Sequence, residues 1–363
     1  MTLLDDAIER RNDAKVRYLK DYLKIGGTRA NLTAFGMADV ATYVPPDQRL
    51  GIGVALGKTK SSLGLALRVS KRDGVAHRAA RAIAEKTVTD GSWADVRVVE
   101  NLSIPARAEV QPVKGTGFPL GGDPLMLGVS VSHPKAPAGS LGGFIRFKSG
   151  GEGIISACHI LANSGRGVEV LPSDKASMIY HPASVDVSGR LGPRNQIGQL
   201  YDFRTLDTPS VELDVAAATL LPGRSHIGNV IPRIPGAKNA GKPVLKPPSE
   251  KRISEFRAVA KVGRTTGYTE GRLSAGFFDD VGLEVPGFGI VYFSRLFEIE
   301  STDGSKPFAK PGDSGAAVFD VTTRSAFALV VGGGLWDDDG KQRMLVYSCD
   351  LVAALDAMSA SWL

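Results

Sequence analysis

Three short stretches carry the residue types of nucleophilic catalysis. KPGDSGAAVFD (310–320) sets Ser314 in a Gly-Asp-Ser-Gly turn ahead of an apolar strand. A serine hydroxyl is a poor nucleophile near neutral pH. It needs a base to take its proton and donors to hold the oxyanion that forms. Gly312 leaves room for a substrate carbonyl, and Gly315 allows a sharp exit into the strand. The N–H groups of Gly312 and Ser314 are then placed to converge as an oxyanion hole. The competing view is a plain Gly-Asp turn in which Ser314 is only polar.

IISACHILAN (154–163) runs an apolar strand into small residues and then His159. That pattern predicts an imidazole at a strand end, facing a cleft. Of the other histidines, His77 lies on an Ala-rich helical pattern and His133 precedes a proline. His181 and His226 sit in turn-like sequence and are expected at the surface. VELDVAAATL (211–220) places Asp214 just before a strand of small residues. A buried carboxylate there would hold the imidazole in the right tautomer and stabilise the imidazolium. Asp186, Asp202 and Asp207 compete for the role but stand in more polar, turn-like surroundings. For each motif an ordinary structural role remains the alternative.

These groups need elements to position them. Residues 2–24 predict an amphipathic helix ended by Gly26-Gly27, with Leu4, Ile8, Val16, Leu19 and Leu23 near helical spacing. GIGVALG and LGLALRV, separated by KTKSS, predict a hairpin; an Ala-rich helix and an alternating strand (ADVRVVE) come after it. Residues 105–137 are rich in Pro and Gly and predict a linker, or a clamp over the next domain. From Gly139, short runs alternate with Gly/Pro/Asp turns: GGFIRFK, GIISACHIL, GVEVLP, ELDVAAATL, AVAKVGRTTG, GRLSAGFF, GIVYFSRLFEIE, GAAVFD and AFALVVGGG. That rhythm suits a β-barrel or sandwich. The proline-rich stretch 231–252 predicts a long connection, and LVAALDAM a C-terminal helix.

Composition narrows the classes. With 363 residues, 43% hydrophobic and 23% charged, the chain can bury a sizeable core. Its net charge of +6 is spread without a run of five like charges, so no nucleic-acid arm is indicated. Two cysteines, Cys158 and Cys349, suit a reducing compartment better than a secreted one. The N-terminus lacks the pattern of a signal peptide, and no window approaches a membrane span. A cytoplasmic protein is expected. No zinc spacing appears, so no metal and no cofactor are called for. GIGVALGKTKSS (51–62) approaches a phosphate-binding loop but has Ile52 where glycine is needed. Leu56 breaks a dinucleotide fingerprint in the same way. Lys58 and Lys60 are expected to cap the hairpin.

The order His159, Asp214, Ser314 resembles that of the trypsin/chymotrypsin family of serine peptidases. SACHIL, ELDVAAA and PGDSGAAV are similar to its three motifs, GGFIRF (142–147) to its first barrel strand, and KVGRTTGYTEGRLS (261–274) to the opening of its second barrel in bacterial members. The similarity covers roughly 128–356. It implies a mainly β fold, a chymotrypsin-like double six-stranded β-barrel, here preceded by a small α/β module. It implies His159 as general base, Asp214 as its orienting carboxylate, Ser314 as nucleophile, and Gly312 and Ser314 as the oxyanion hole. ALVVGGG (328–334) corresponds to the strand that lines the specificity pocket and pairs with substrate, with Gly332, Gly333 and Gly334 leaving that wall open. Phe308, six before the nucleophile, stands at the pocket base where an acid would favour Arg or Lys, so an apolar or small side chain is expected. The freed N-terminus that pairs with the Asp before the serine in secreted members has no counterpart, so Asp313 needs another partner.

Three units are therefore expected: 1–105, a leading helix and α/β module for regulation or targeting; 106–127, a linker; and 128–363, the peptidase. The expected partners are a protein or peptide substrate and, for regulation, a protein partner, with neither nucleic acid nor membrane. Two other functions remain open. One is a catalytically silent scaffold or binding module on the same fold. The other is a nucleotide- or ligand-sensing effector acting through residues 31–105.

Overall fold

The leading helix forms in the computed structural model as α1 (Leu3–Arg17), closed at its start by a reciprocal Thr2–Asp5 capping box and continued by a wider turn, Tyr18–Tyr22. The structure describes residues 2–25, 49–112, 123–173, 175–187, 191–302, 306–338 and 340–363. The Gly26-Gly27 stop, the weakly patterned stretch 31–48 and linker residues 113–122 lie outside the described residues. Leu4 and Ala7 of α1 bury against Val54 and Leu56, while Ala14 and Tyr18 bury with Ile52 and Leu65.

The predicted strand–strand–helix–strand order is observed. Strands β1 (Gly51–Leu56) and β2 (Leu63–Val69) form an antiparallel hairpin with Leu56 opposite Leu63. Its turn, closed by the Gly57 N–H on Ser62 O at 2.8 Å, leaves Lys58 and Lys60 exposed. Helix α2 (Val75–Thr89) buries Ala76, Ala79, Ala80 and Ile83 and returns the chain to β3 (Ala94–Ser103), parallel to β2.

Next come β4 (Ser130–Val131) and β5 (Gly139–Ser140), then β6 (Gly143–Phe147), β7 (Glu152–Ser156), the one-turn α3 (Cys158–Leu161), β8 (Met178–Tyr180), β9 (Gln196–Phe203), β10 (Ser210–Val211) and β11 (Ala216–Leu220). The second half holds β12 (Ala258–Gly263), β13 (Gly267–Asp279), β14 (Val281–Val285), β15 (Gly289–Phe293), β16 (Leu296–Ser301), β17 (Ala317–Asp320), β18 (Ala326–Asp338) and β19 (Lys341–Asp350). Helix α4 (Leu351–Ala357) and β20 (Ala360–Trp362) end the chain. GVEVLP (167–172), expected as a strand, is irregular; Pro172 offers no N–H for a ladder. GIVYFSRLFEIE is two strands, broken where Arg295 takes a positive φ of 55° and donates to Glu250 and Asp350.

The architecture is mainly β, as expected. One sheet has six strands in the order β20-β6-β7-β11-β9-β8. In the second, β12-β13-β16-β19-β18-β17 closes on itself through antiparallel pairings and makes a six-stranded barrel. Two of its strands are 13 residues long, β13 and β18, and overrun it. The overrunning part of β13 pairs with β1, and that of β18 with β3. A second closed circuit, β13-β1-β2-β3-β18-β19-β16, is thereby fused to the first. Residues 51–103 are thus hydrogen-bonded into the same sheet as the C-terminal half, and the network of backbone bonds does not break at residue 105.

Candidate active site

His159 stands in α3, immediately after β7, and Asp214 just before β11, the neighbour of β7 in the first sheet. Adjacent strand ends therefore bring the two side chains together. The imidazole Nδ1 lies 2.6 Å from Asp214 Oδ2, and the His159 backbone N–H donates to Oδ1 at 3.1 Å. His159 is 2% exposed and Asp214 not at all. With both carboxylate oxygens engaged by one residue, Nδ1 must carry its proton and Nε2 is left as the basic nitrogen. Buried Nε2 has no hydrogen-bond partner among the described residues.

Ser314 sits on the tight turn between the Phe308 region and β17. Gly312 (φ 100°) and Gly315 (φ 84°) take left-handed conformations that a side chain would strain. A Cβ on Gly315 would meet Ser156 Oγ at 1.9 Å and the Ala157 nitrogen at 3.0 Å, so the serine turn lies directly on the chain that leads into His159. The Ser314 hydroxyl donates to Val331 O at 3.3 Å rather than to the imidazole. The structure therefore joins His159 to Asp214 and sets the Ser314 turn against the histidine loop without closing the serine–histidine bond. Among the described residues neither the Gly312 N–H nor the Ser314 N–H is engaged in a hydrogen bond, while Gly312 O accepts from Ser140 Oγ at 3.0 Å.

Sequence reasoning left Asp313 without a partner. The structure supplies one: Lys261 of β12, 3.5 Å away, with both side chains fully buried. The carboxylate also accepts from the N–H groups of Thr265 (2.8 Å) and Thr266 (3.1 Å), the Thr266 hydroxyl (2.8 Å) and the Lys310 N–H (2.9 Å). Burial lowers the Lys261 pKa, and Asp313 opposes that. A Cβ at Gly263 would come within 2.4 Å of Asp313 Oδ1, so this carboxylate needs a glycine opposite it. The overlooked signal was a lysine inside the apolar run AVAKVG, since a buried lysine requires a paired acid.

A second buried pair flanks the turn. Arg264 donates from Nε to Asp186 Oδ2 at 2.6 Å and from Nη1 to Thr265 Oγ1 at 3.0 Å, and Thr265 Oγ1 donates in turn to Pro311 O. Asp186, a polar turn residue by sequence, has a fully buried side chain and also accepts from Ser130 Oγ at 2.5 Å. Its role is structural, bracing the serine turn from the first-sheet side. His181, expected at the surface, is 6% exposed, with Nδ1 2.7 Å from Ser130 O.

Phe308 was expected at the base of an open pocket. It is fully buried, in one apolar cluster with Val259, Leu273, Val318, Phe327 and Val330. The wall expected to be open at Gly332, Gly333 and Gly334 is covered at Gly332 and Gly334, while Gly333 pairs with Ser103. A Cβ on Gly332 would lie 2.3 Å from Ser103 O, and one on Gly334 2.8 Å from Glu100 O. The cover is β3, which needs glycines opposite it to come so close. Cys158 and Cys349 are free and buried, and burial together with the Asp214 carboxylate pushes both thiols up, so neither is a nucleophile. Among the described residues no cluster of His, Cys, Asp or Glu is arranged to hold a metal, and no helix is long and apolar enough to cross a membrane.

No protein-family model and no curated protein matches this sequence. Solved structures do. A Nocardiopsis protease aligns at 16% identity and TM-score 0.43 over 65% of this chain and 97% of its own. A glutamic acid-specific serine protease aligns at 16% and 0.44 over 66% and 100%. Cellulomonas bogoriensis chymotrypsin aligns at 16% and 0.41 over 66% and 97%. Likeness this distant leaves the chemistry of the site to its own geometry.

Proposed function

We propose that this chain is a serine endopeptidase with Ser314 as nucleophile, His159 as general base and Asp214 as the carboxylate that orients it. The observation that carries the proposal is the fully buried Asp214 engaging both His159 Nδ1 and the His159 N–H while Nε2 stays unengaged. Buried polar atoms are as a rule hydrogen-bonded, and this ring leaves Nε2 without a partner among the described residues, next to a turn that carries a serine.

In this mechanism the Ser314 hydroxyl turns from Val331 O toward Nε2, which takes its proton as Oγ attacks the scissile carbonyl. Asp214 stabilises the imidazolium, and the N–H groups of Gly312 and Ser314 receive the oxyanion. The imidazolium then hands its proton to the leaving amine. Water, activated by the same base, clears the acyl-enzyme and regenerates Ser314. The Lys261–Asp313 pair stands where a chain terminus would otherwise be needed to hold the turn. Its substrates would be proteins or peptides, and its setting the cytoplasm, where such an enzyme needs restraint, as in a defence or stress response.

The test is covalent labelling by a fluorophosphonate and peptide mapping of the adduct. Label is expected on Ser314 and absent from Ser314→Ala. A folded protein that takes up no label, in native form or after release of the strand that covers Gly332–Gly334, would sink the assignment in favour of a catalytically silent scaffold.

A further inference from the structure

One edge of β18 has three successive neighbours. Its first part pairs with β17, with Ala317 opposite Leu329 and Val318 opposite Ala328. The serine turn comes next: Gly315 N–H donates to Val330 O at 2.7 Å, and Ser314 Oγ donates to Val331 O. Beyond it the edge continues with Gly333 opposite Ser103, Leu335 opposite Glu100 and Trp336 opposite Val99, all antiparallel. An extended peptide gains affinity by adding to an open strand edge. The stretch of β18 next to the nucleophile is the edge such a peptide would use. In this molecule the chain's own β3 already holds it, running toward Ser314 as it goes from Val99 to Ser103.

The chain beyond β3 reinforces the cover. Ile104 N–H donates to Glu284 O at 2.9 Å, fixing the exit of the strand. Val110 buries with Ala138 and Ala183, and its Cγ1 would lie 3.4 Å from a Cβ on Gly312. Arg264, which braces the serine turn, donates from Nη2 to Gln111 O at 2.8 Å. The segment from Val99 to Gln111 therefore spans from the β18 edge to the oxyanion turn and is anchored at both ends. Ser314 itself is 3% exposed.

We propose that the end of β3, Val99–Ser103, is a built-in occupant of the peptide-binding edge of β18 and holds the enzyme latent until it is displaced. The inference rests on Ser314 being the nucleophile. Displacement breaks the backbone bonds of this short pairing and frees Gly332–Gly334 for a substrate strand. The segment is continuous with β3 of the α/β module, so whatever binds or deforms that module is positioned to release it.

The test is a reversible lock on the full chain. Glu100 and Leu335 are exposed and directly opposed. Opposed residues of antiparallel strands stand about 4.5–5.5 Å apart at Cα, inside the range a disulfide spans. The double variant Glu100→Cys/Leu335→Cys is compared oxidised and reduced, beside Ser103→Pro, which removes a donor from the end of β3. Ser103→Pro is expected to cleave a peptide library at least about tenfold faster than the oxidised lock, with the reduced lock between them. A small fluorophosphonate, which needs no strand edge, is expected to label the locked and freed forms alike. Labelling of Ser314 in every form, with peptide cleavage indifferent both to the lock and to Ser103→Pro, overturns the occupancy. Absence of label from every folded form overturns the nucleophile itself and the occupancy with it.

Discussion

Two buried carboxylates show how the same group serves opposite ends in two regions of the molecule. Asp214 and Glu298 are both fully buried. Asp214 meets a single imidazole ring and a single N–H from the same residue. Glu298 meets Arg68 through two bonds, at 2.6 and 2.8 Å, with the Ser274 hydroxyl and the Tyr347 phenol each at 2.8 Å and Arg97 close by. Burial would raise the Glu298 pKa, but Arg68, Arg97 and Ser274 bring it down to about 2. Both of its oxygens are multiply engaged, and the group ties β2, β3, β13, β16 and β19 together across the second circuit. Asp214 has only the two bonds to His159, and the far nitrogen of that ring has no hydrogen-bond partner among the described residues.

Substitutions can break that contrast, and the largest effect is expected at the proposed nucleophile. Ser314→Ala should lower kcat on the order of 10⁶-fold in the released form, with the unfolding midpoint nearly unchanged. Asp214→Asn should lower kcat by about 10⁴-fold by favouring the wrong imidazole tautomer, read from steady-state rates of the same form. Glu298→Ala should do the reverse. It leaves Arg68 buried without its main partner and should cost about 3–5 kcal/mol in urea unfolding, with the activity of the folded fraction retained. Replacing both, Arg68→Met with Glu298→Met, should cost less than the single change, because no charge is then stranded.

Two smaller effects sharpen the picture. Glu298 titrates lower folded than unfolded, so its stabilisation is full above the ordinary carboxylate pKa near 4.5 and is lost as pH falls toward about 2. His133 also titrates low: burial, then Lys135 and Arg107, bring it from 6.5 to about 4. The unfolded chain binds that proton first, so stability should fall as pH drops from 6.5 toward 4, and His133→Asn should flatten that limb of a urea-midpoint profile. The smallest change is expected at the surface. Arg146→Ala breaks an exposed pair with Glu152 at 2.9 Å and should shift stability by about 0–1 kcal/mol.

Much of the candidate site was legible because its turn and strand ends are set by local sequence. PGDSG announces a strained turn and SACHIL a strand end. ELDVAAA supplies an acid ahead of small residues that can pack close behind a ring. Most strands were legible for the same reason, with GVEVLP lost to its proline. The braces were not. Asp186 looked like a turn residue because its partner, Arg264, is 78 residues away. Lys261 and Asp313 are distant in sequence too, and nothing local to either says that they meet. Phe308 lies fully buried in an apolar cluster, and its sequence neighbourhood does not tell a pocket base from a core position.

By itself the sequence determined which residue types are present, where strands run and which turns require glycine, since those depend on nearest neighbours and side-chain period. Tertiary structure alone decided that β1 and β3 would graft onto the overrunning ends of β13 and β18, and that two of the three glycines expected to line an open wall, Gly332 and Gly334, would lie against Glu100–Ser103. Strand pairing between segments on the order of two hundred residues apart depends on which edges remain unfilled once the rest has packed, and no local pattern encodes a vacancy elsewhere.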